Sequence, residues 1–228
     1  MRAPVSIIIP TLNAGEDLPA ALSALAEGLD AGLIRELIVS DGGSDDDTVE
    51  FSEAAGAILV KGARGRGGQL ARGAALAQGN WLLFLHADTQ LGPGWAREVL
   101  CHICDHNDQA GYFKLAFRSK GFSARFVAGW ANWRSRWLGL PYGDQGMLVP
   151  RDFYTEIGGY PAIALMEDVA LARALKGKLR LLEATAYTSA ARYEAQGWWR
   201  RGIRNHVTLL RYLAGVDPEK LARSYNRR

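Results

Sequence analysis

The sequence predicts an α/β fold built on a mixed, mainly parallel sheet with helices on both faces, and three observations carry that prediction. Four apolar runs, SIIIP, ELIVS, AILV and WLLFL, recur within the first 90 residues, separated by stretches of helical spacing. Each run is continuously apolar rather than alternating, as in strands buried on both faces. The polar clusters PTLNAGE, SDGGSDDDT, KGARGRGG and HADTQ follow those runs, and an open parallel sheet binds its ligands at such carboxyl ends.

Taken in order, PVSIIIP is the first strand and ends at Pro10. EDLPAALSALAEGL places Leu18, Leu22, Leu25 and Leu29 on one helical face. LIRELIVSDGG is a strand, DDDTVEFSEAAG a helix and AILVKG a strand. A glycine-rich turn opens the helix GQLARGAALAQG, and WLLFLHAD is the fourth strand. Further on, GYFKLAFRS alternates like an antiparallel strand, and SARFVAGWANWRSRWLGL is a tryptophan-rich helix. PYGDQGMLVPRDFYTEIGGYP gives a loop, a short strand and a turn. MEDVALARALKG is a helix, RLLEATAYTSA a strand and GWWRRGIRNHVTLLRYLAG a final helix. No repeat, linker or low-complexity stretch divides the chain, so one domain over residues 1–228 is expected. Residues 1–90 form its nucleotide-binding half, 91–190 its acceptor half and 191–228 a basic helical tail.

Composition bounds the setting. At 228 residues, 48% apolar and 22% charged, the chain has the makeup of a globular domain with a proper core. Two cysteines, Cys101 and Cys104, argue against a disulfide scaffold and fit a reducing compartment. No apolar run approaches the ~18 residues of a membrane span, and MRAPVSIIIP is too short an apolar run for a signal peptide. The cytosol is the expected location, and nucleic acid is not an expected partner. The net charge of +3 is unevenly spread: from Arg192 onward nine basic residues face three acids, leaving 18 basic and 21 acidic residues before it. Trp199, Ile203, Val207, Leu210 and Leu213 recur at helical spacing in that basic tail. Either this stripe packs on the core, the favoured reading, or it touches an anionic membrane, at the inner face, or a partner.

Four clusters have chemical content, and each has a plainer reading. In SDGGSDDDT, Asp45 to Asp47 suit the start of a helix, whereas Asp41 sits at the strand end, where a carboxylate can accept from a base or ribose. KGARGRGG resembles a phosphate cradle of bare backbone amides, with Arg64 and Arg66 facing a diphosphate or solvent. Such a turn after the third strand is not a dinucleotide fingerprint, which follows the first. CHICDH has the letters of a zinc site but no second ligand pair, so Cys101 and Cys104 are expected on the apolar face of a helix as buried thiols. Glu167 and Asp168 in MEDVALARAL either complement a helix dipole or supply a general base. His86 and Asp88 lie two apart at a strand end and can face one ion; a histidine capping the strand is the plainer reading. Imidazole suits Mn²⁺ better than Mg²⁺, which wants oxygens.

SIIIPTLNAGEDL, VSDGGSDDDT, ARGRGGQLARGAALAQGNWLLFLHAD and MEDVALARAL, in this order over nearly the whole chain, resemble a family-2 glycosyltransferase of the GT-A, Rossmann-like fold. FLHADT, GDQGM and the basic tail are most similar to small bacterial members often labelled radical-SAM/selenodomain-associated, some of them assigned to arsenosugar biosynthesis. The resemblance implies inverting transfer of a sugar from a nucleoside-diphosphate sugar, usually UDP-linked, to an acceptor hydroxyl, with Mn²⁺ or Mg²⁺ and Mn²⁺ favoured here. It implies that Pro10, Thr11, Asn13, Glu16, Asp41, Arg66 and Ala87 serve the nucleotide, and that Asp88, with His86, holds the metal. It further implies Asp168 as base with Glu167 beside it. Asp144, in the glycine-flanked loop GDQGM, is the other candidate base and, with Gln145, is expected to shape the acceptor pocket. Three departures stand out. Ser40 occupies a position where an acid often precedes Asp41, and His86 replaces the first metal-motif acid. QGWWRRG does not match the Q-x-x-R-W signature of processive synthases, so single transfer is expected.

Two other functions remain in view. A nucleotidyltransferase would want a basic, glycine-rich loop directly after the first strand, and PTLNAGEDL has no basic residue. A non-catalytic nucleotide-sugar-binding module would have no use for the acid pair Glu167 and Asp168.

Overall fold

β1 (Val5–Thr11) has Val5, Ile7 and Ile9 buried on one face and Ser6 and Ile8 buried on the other, as befits a strand covered on both sides. It pairs in parallel with β2 (Ile34–Asp41) and with β4 (Trp81–Phe84), and β3 (Ile58–Lys61) continues in parallel beyond β2. The computed structural model describes residues 2–226. Within them eight strands form one mixed sheet in the order β3-β2-β1-β4-β7-β6-β8-β5. β7 (Met147–Pro150) runs antiparallel between β4 and β6 (Ala110–Phe117). β8 (Leu179–Thr188) is parallel to β6, and β5 (Thr89–Leu91) is antiparallel to β8 at the edge. The alternation of β6 is matched on one side only, because its other neighbour is parallel.

Helices close both faces. α1 (Leu18–Ser23) and α5 (Trp95–Asp105) bury one apolar cluster with Ile7, Leu83 and Leu148, and α2 (Ala26–Asp30) packs against α5. α4 (Arg66–Leu76) and α8 (Glu167–Ala174) bury another with Ile8, Leu82 and Phe84. α3 (Thr48–Ala54) flanks β3, and α6 (Phe122–Leu138) lies on β6. α7 (Arg151–Glu156) follows β7, and α9 (Ala191–Gln196), α10 (Trp198–Leu213) and α11 (Pro218–Asn226) form the tail. No helix among the described residues is long and apolar enough to cross a membrane.

Three expectations are corrected here. The leucine stripe breaks between Ser23 and Ala26, and Leu29 turns outward at 61% exposure. α2 instead approaches the core through Gly28, where a Cβ would lie 2.5 Å from the Trp95 ring. In α5 the buried face runs through Trp95, Ala96, Val99 and His102, so Cys101 and Cys104 are exposed rather than buried. His102 tolerates burial because its Nε2 meets the Gln109 carbonyl at 2.9 Å, which satisfies a polar atom as burial requires. In the tail, the expected final helix is α10, and two shorter helices, α9 and α11, flank it. The stripe favoured to pack on the core is exposed along α10, while Arg201, Thr208 and Leu209 face inward. Arg201 stacks on Tyr193 at 5.2 Å and donates to Gln196, and Leu209 joins Leu140, Met166 and Val169.

Candidate active site

The loops after β1, β2 and β3 are tied into one rim. Asp41 Oδ1 accepts from Thr11 (3.0 Å) and from the Ser44 hydroxyl (2.5 Å), and its Oδ2 accepts the Gly43 and Ser44 amides. Burial alone would raise the Asp41 pKa, but these hydrogen bonds outweigh it and the pKa falls. Asn13, at φ 50° in the left-handed region that asparagine tolerates, bridges to the same loop through Ser44 and the Asp45 amide. Buried Gln69 donates to the carbonyls of Thr11 and Ser40 and accepts the Gly65 amide. Asp46, as the plainer reading of the acidic run has it, accepts amides of Gly15 and Thr48.

This rim faces a cleft of about 740 Å³ lined by Pro10, Thr11, Asn13, Arg64, Arg66 and Ala87, among others, a size typical of a small-molecule site. Asp41 is 1% exposed and lines no part of it, acting as the brace of the rim. Glu16 is exposed and also outside the cleft; Asp17, ion-paired with Arg118, lines it instead.

A second chamber of about 160 Å³ adjoins the cleft, and Arg66, His86, Asp88 and Glu167 line both. Asp144 and Asp168 line the second chamber alone. α4 can begin this close to the 161–166 loop because residue 67 is glycine; a Cβ there would stand 2.2 Å from the Pro161 carbonyl. That loop ends at Met166, whose φ of 69° is left-handed for a non-glycine residue, a strain of about 1–3 kcal/mol kind found at functional sites. The turn sends Glu167 inward, 2% exposed and 3.3 Å from Arg66, and leaves Asp168 half-buried at the chamber wall with the Gly143 amide on its Oδ2 at 2.9 Å. Burial and the neighbouring Asp168 raise the Glu167 pKa against the pull of Arg66. Gly143 opens a 3-10 turn (Gly143–Gln145) that rests on the imidazole; a Cβ there would be 2.4 Å from His86 Nε2. Gln145 is fully buried and holds Ser135 and the Phe113 carbonyl, so it braces this turn and does not line the chamber.

Burial, and then the charges of Arg66 and Arg192, hold the His86 pKa well below the usual histidine value, so its ring is neutral. Burial raises the Asp88 pKa, opposed chiefly by Arg192. The nearest hydroxyl partners of Asp88 are distant, Thr188 at 3.4 Å and Thr89 at 3.5 Å. A neutral imidazole and a half-buried carboxylate without close hydroxyl partners, both lining the two chambers, form a donor set that fits a divalent cation. No three His, Cys, Asp or Glu side chains among the described residues are arranged to hold a metal ion by themselves. Such an ion would need further oxygens, as Mg²⁺ and Mn²⁺ sites that rely on substrate phosphates do.

Burial pushes the Asp144 carboxyl up to about 6, against the pull of Arg134 and helped by Asp168 and Asp88. A folded-state pKa raised above the unfolded one gives stability at low pH that is lost as pH rises through about 6. Asp144→Asn, neutral throughout, is therefore expected to melt above wild type at about pH 8 and with it at about pH 4. Melting curves across that range check this, and a constant offset would refute it.

Arg192, Tyr193, Arg201, Asn205 and Tyr225 also wall the second chamber. None of them stands in a recognisable motif, and the only sequence signal for them is the basic excess of the tail.

A parallel-sheet cleft for a nucleotide-sized ligand, joined to an acid-lined chamber, defines a site where two substrates can meet. Residues 6–137 match the model of Glycosyl transferase family 2, and the chain belongs to that family. A PGL/p-HBAD biosynthesis glycosyltransferase of Mycobacterium tuberculosis is 41% identical over 99 residues, which are 40% of this chain and 38% of that one. The chain thus covers well under half of the length of these curated relatives. Among solved structures, residues 1–349 of S. aureus TarS in complex with UDP-GlcNAc superpose with a TM-score of 0.63 at 15% identity, over 82% of this chain and 58% of that one. Glucosyl-3-phosphoglycerate synthase from M. tuberculosis, in complex with Mn²⁺, UDP and glucosyl-3-phosphoglycerate, gives 0.56 at 19%, over 82% and 70%. At these identities the likeness is one of fold, and the fold is that of GT-A glycosyltransferases.

Proposed function

We propose that this chain is a single-domain, inverting, non-processive hexosyltransferase that moves a sugar from a UDP-sugar to an acceptor hydroxyl. The observation that carries this reading is the junction of two chambers at Arg66, His86 and Asp88. Donor in the larger and acceptor in the smaller would meet there, with a carboxylate on the acceptor side. The UDP-GlcNAc held by one structural neighbour and the UDP and Mn²⁺ held by the other support the choice of donor and ion. FLHADT and GDQGM support a place among the small bacterial members labelled radical-SAM/selenodomain-associated.

In this reading Pro10, Thr11, Asn13 and Ala87 line the nucleotide, and Arg66 lies at its diphosphate. Asp88 and His86 would hold the cation, Mn²⁺ in preference to Mg²⁺, which when bound neutralises the departing diphosphate. Asp168 takes the proton from the acceptor hydroxyl as the sugar carbon is attacked from the far side. Glu167 holds Arg66 against the junction, and Asp144 shapes the acceptor chamber. The cytosol is the proposed location.

Melting-temperature screens with UDP-, GDP- and dTDP-sugars, each with Mn²⁺, test the donor, since a ligand of the folded state alone raises the transition. A shift with UDP-sugars, accompanied by slow release of UDP without acceptor, is expected. A shift without any UDP release would favour a binding module, and release of pyrophosphate from a nucleoside triphosphate would favour a nucleotidyltransferase.

A further inference from the structure

α6 is built inside out. Its buried positions are Ala124, Ala128, Ala131, Arg134 and Ser135, mostly small residues that let it lie close on β6. Its bulk points outward: Phe122, Phe126, Trp130, Trp133 and Trp137 form one stripe, each 44–70% exposed. The exposed face of α10 continues that surface. Phe126 meets Trp199 at 5.2 Å, Trp130 stacks on Trp133 at 5.1 Å, and His206 stands against Trp130 at 5.5 Å. Ile203, Val207 and Leu210 extend it along α10. A contiguous apolar surface of this kind on a folded chain marks an interaction site.

Charge decides what covers it. α6 and α10 together hold seven arginines and no acid. Arg125, Arg136, Arg200 and Arg211 are exposed on these two helices. Tryptophan beside arginine on amphipathic helices is the pattern of segments lying in the headgroup region, where the indole has one apolar and one wet side. A one-signed arginine set matches a surface of uniform negative charge.

We propose that the outward face of α6 and α10 seats the protein on an anionic phospholipid bilayer, with the aromatic stripe in the interface and the arginines on the headgroups. The seat needs no assumption about the reaction. It does share a helix with the site, because Arg201 and Asn205 on the inward side of α10 line the second chamber.

Co-sedimentation with vesicles of phosphatidylcholine alone, and of phosphatidylcholine with phosphatidylglycerol, tests this at low and high salt. Binding is expected to the anionic vesicles only and to weaken at least severalfold at high salt, because surface charge is screened within a Debye length. Two variants keep the fold, since all four positions are exposed: Trp133→Ser with Trp137→Ser, and Arg200→Glu with Arg211→Glu. Both should bind more weakly than wild type while melting at its temperature. Absence of binding at low salt, or undiminished binding by both variants, overturns the proposal. So does a wild-type dimer that either variant dissociates, which would assign the face to a second copy.

Discussion

Asp168→Asn is expected to lower turnover by about 10²–10⁴, the usual cost of losing a general base, with UDP-sugar affinity close to wild type. Three carboxylates compete for the role. Glu167 is buried and committed to Arg66, so it is poorly placed to meet an acceptor. Asp144 has its carboxyl pushed up to about 6 and sits on the glycine-flanked turn that leans on His86. Asp168 is half-buried at the chamber wall, and both the Gly143 amide and its own helix amide at Val169 donate to it. These donors hold the carboxylate in place, while the turn at Met166 fixes where it points. Asparagine can still accept the Gly143 amide, so the fold should survive. Single-turnover rates with the donor and an acceptor hydroxyl, alongside donor titrations, separate the cases. Collapse of donor affinity would move Asp168 to the nucleotide site. Unchanged turnover would make Asp144 the base, and the rate should then rise through pH of about 6.

The first half of the fold was legible because its signals are local. Strands such as Val5–Thr11 are buried on both faces and announce themselves as apolar runs, and the polar loops follow at their carboxyl ends. The sheet order was not legible, since β7 enters between β4 and β6 by pairing across more than sixty positions of chain. At the site, His86, Asp88, Arg66 and Asp168 were visible as motif letters, and the structure gathers them around one chamber. Asp41 and Gln145 carry the letters of contact residues yet are fully enclosed, because polar side chains at strand ends also serve to tie loops. Arg192 and Tyr193 were not legible as chamber residues for the opposite reason: tertiary placement alone brings them there. The outward stripe of α10 was visible as a period, but a period does not say which face is covered. Arg201, stacked on Tyr193, shows that the polar face of that helix is the one turned inward.

Asp88→Ala is expected to abolish the metal-dependent part of UDP binding. Wild-type affinity for UDP should rise on adding Mn²⁺, by about 10-fold or more, since even partners outside the ligand shell are worth about 10–100-fold in metal affinity. The variant should bind UDP equally with and without the ion. The argument starts from dissatisfaction: Asp88 is desolvated enough to raise its pKa, yet its hydroxyl partners stand at 3.4 and 3.5 Å. A half-buried carboxylate at a chamber wall, with no close protein donor, is free to meet a cation. Arg192 and Arg66 lend positive field, but Arg66 is paired to Glu167. The neighbouring imidazole, held neutral, offers a lone pair rather than a second positive charge. Were Asp88 instead a structural tie between β5 and β8 through Thr89 and Thr188, its removal would lower the melting temperature and leave the Mn²⁺ response of UDP binding intact. Isothermal titration of UDP with and without Mn²⁺, paired with melting curves of both proteins, reads these outcomes separately, and an equal metal response in both would remove Asp88 from the cation site.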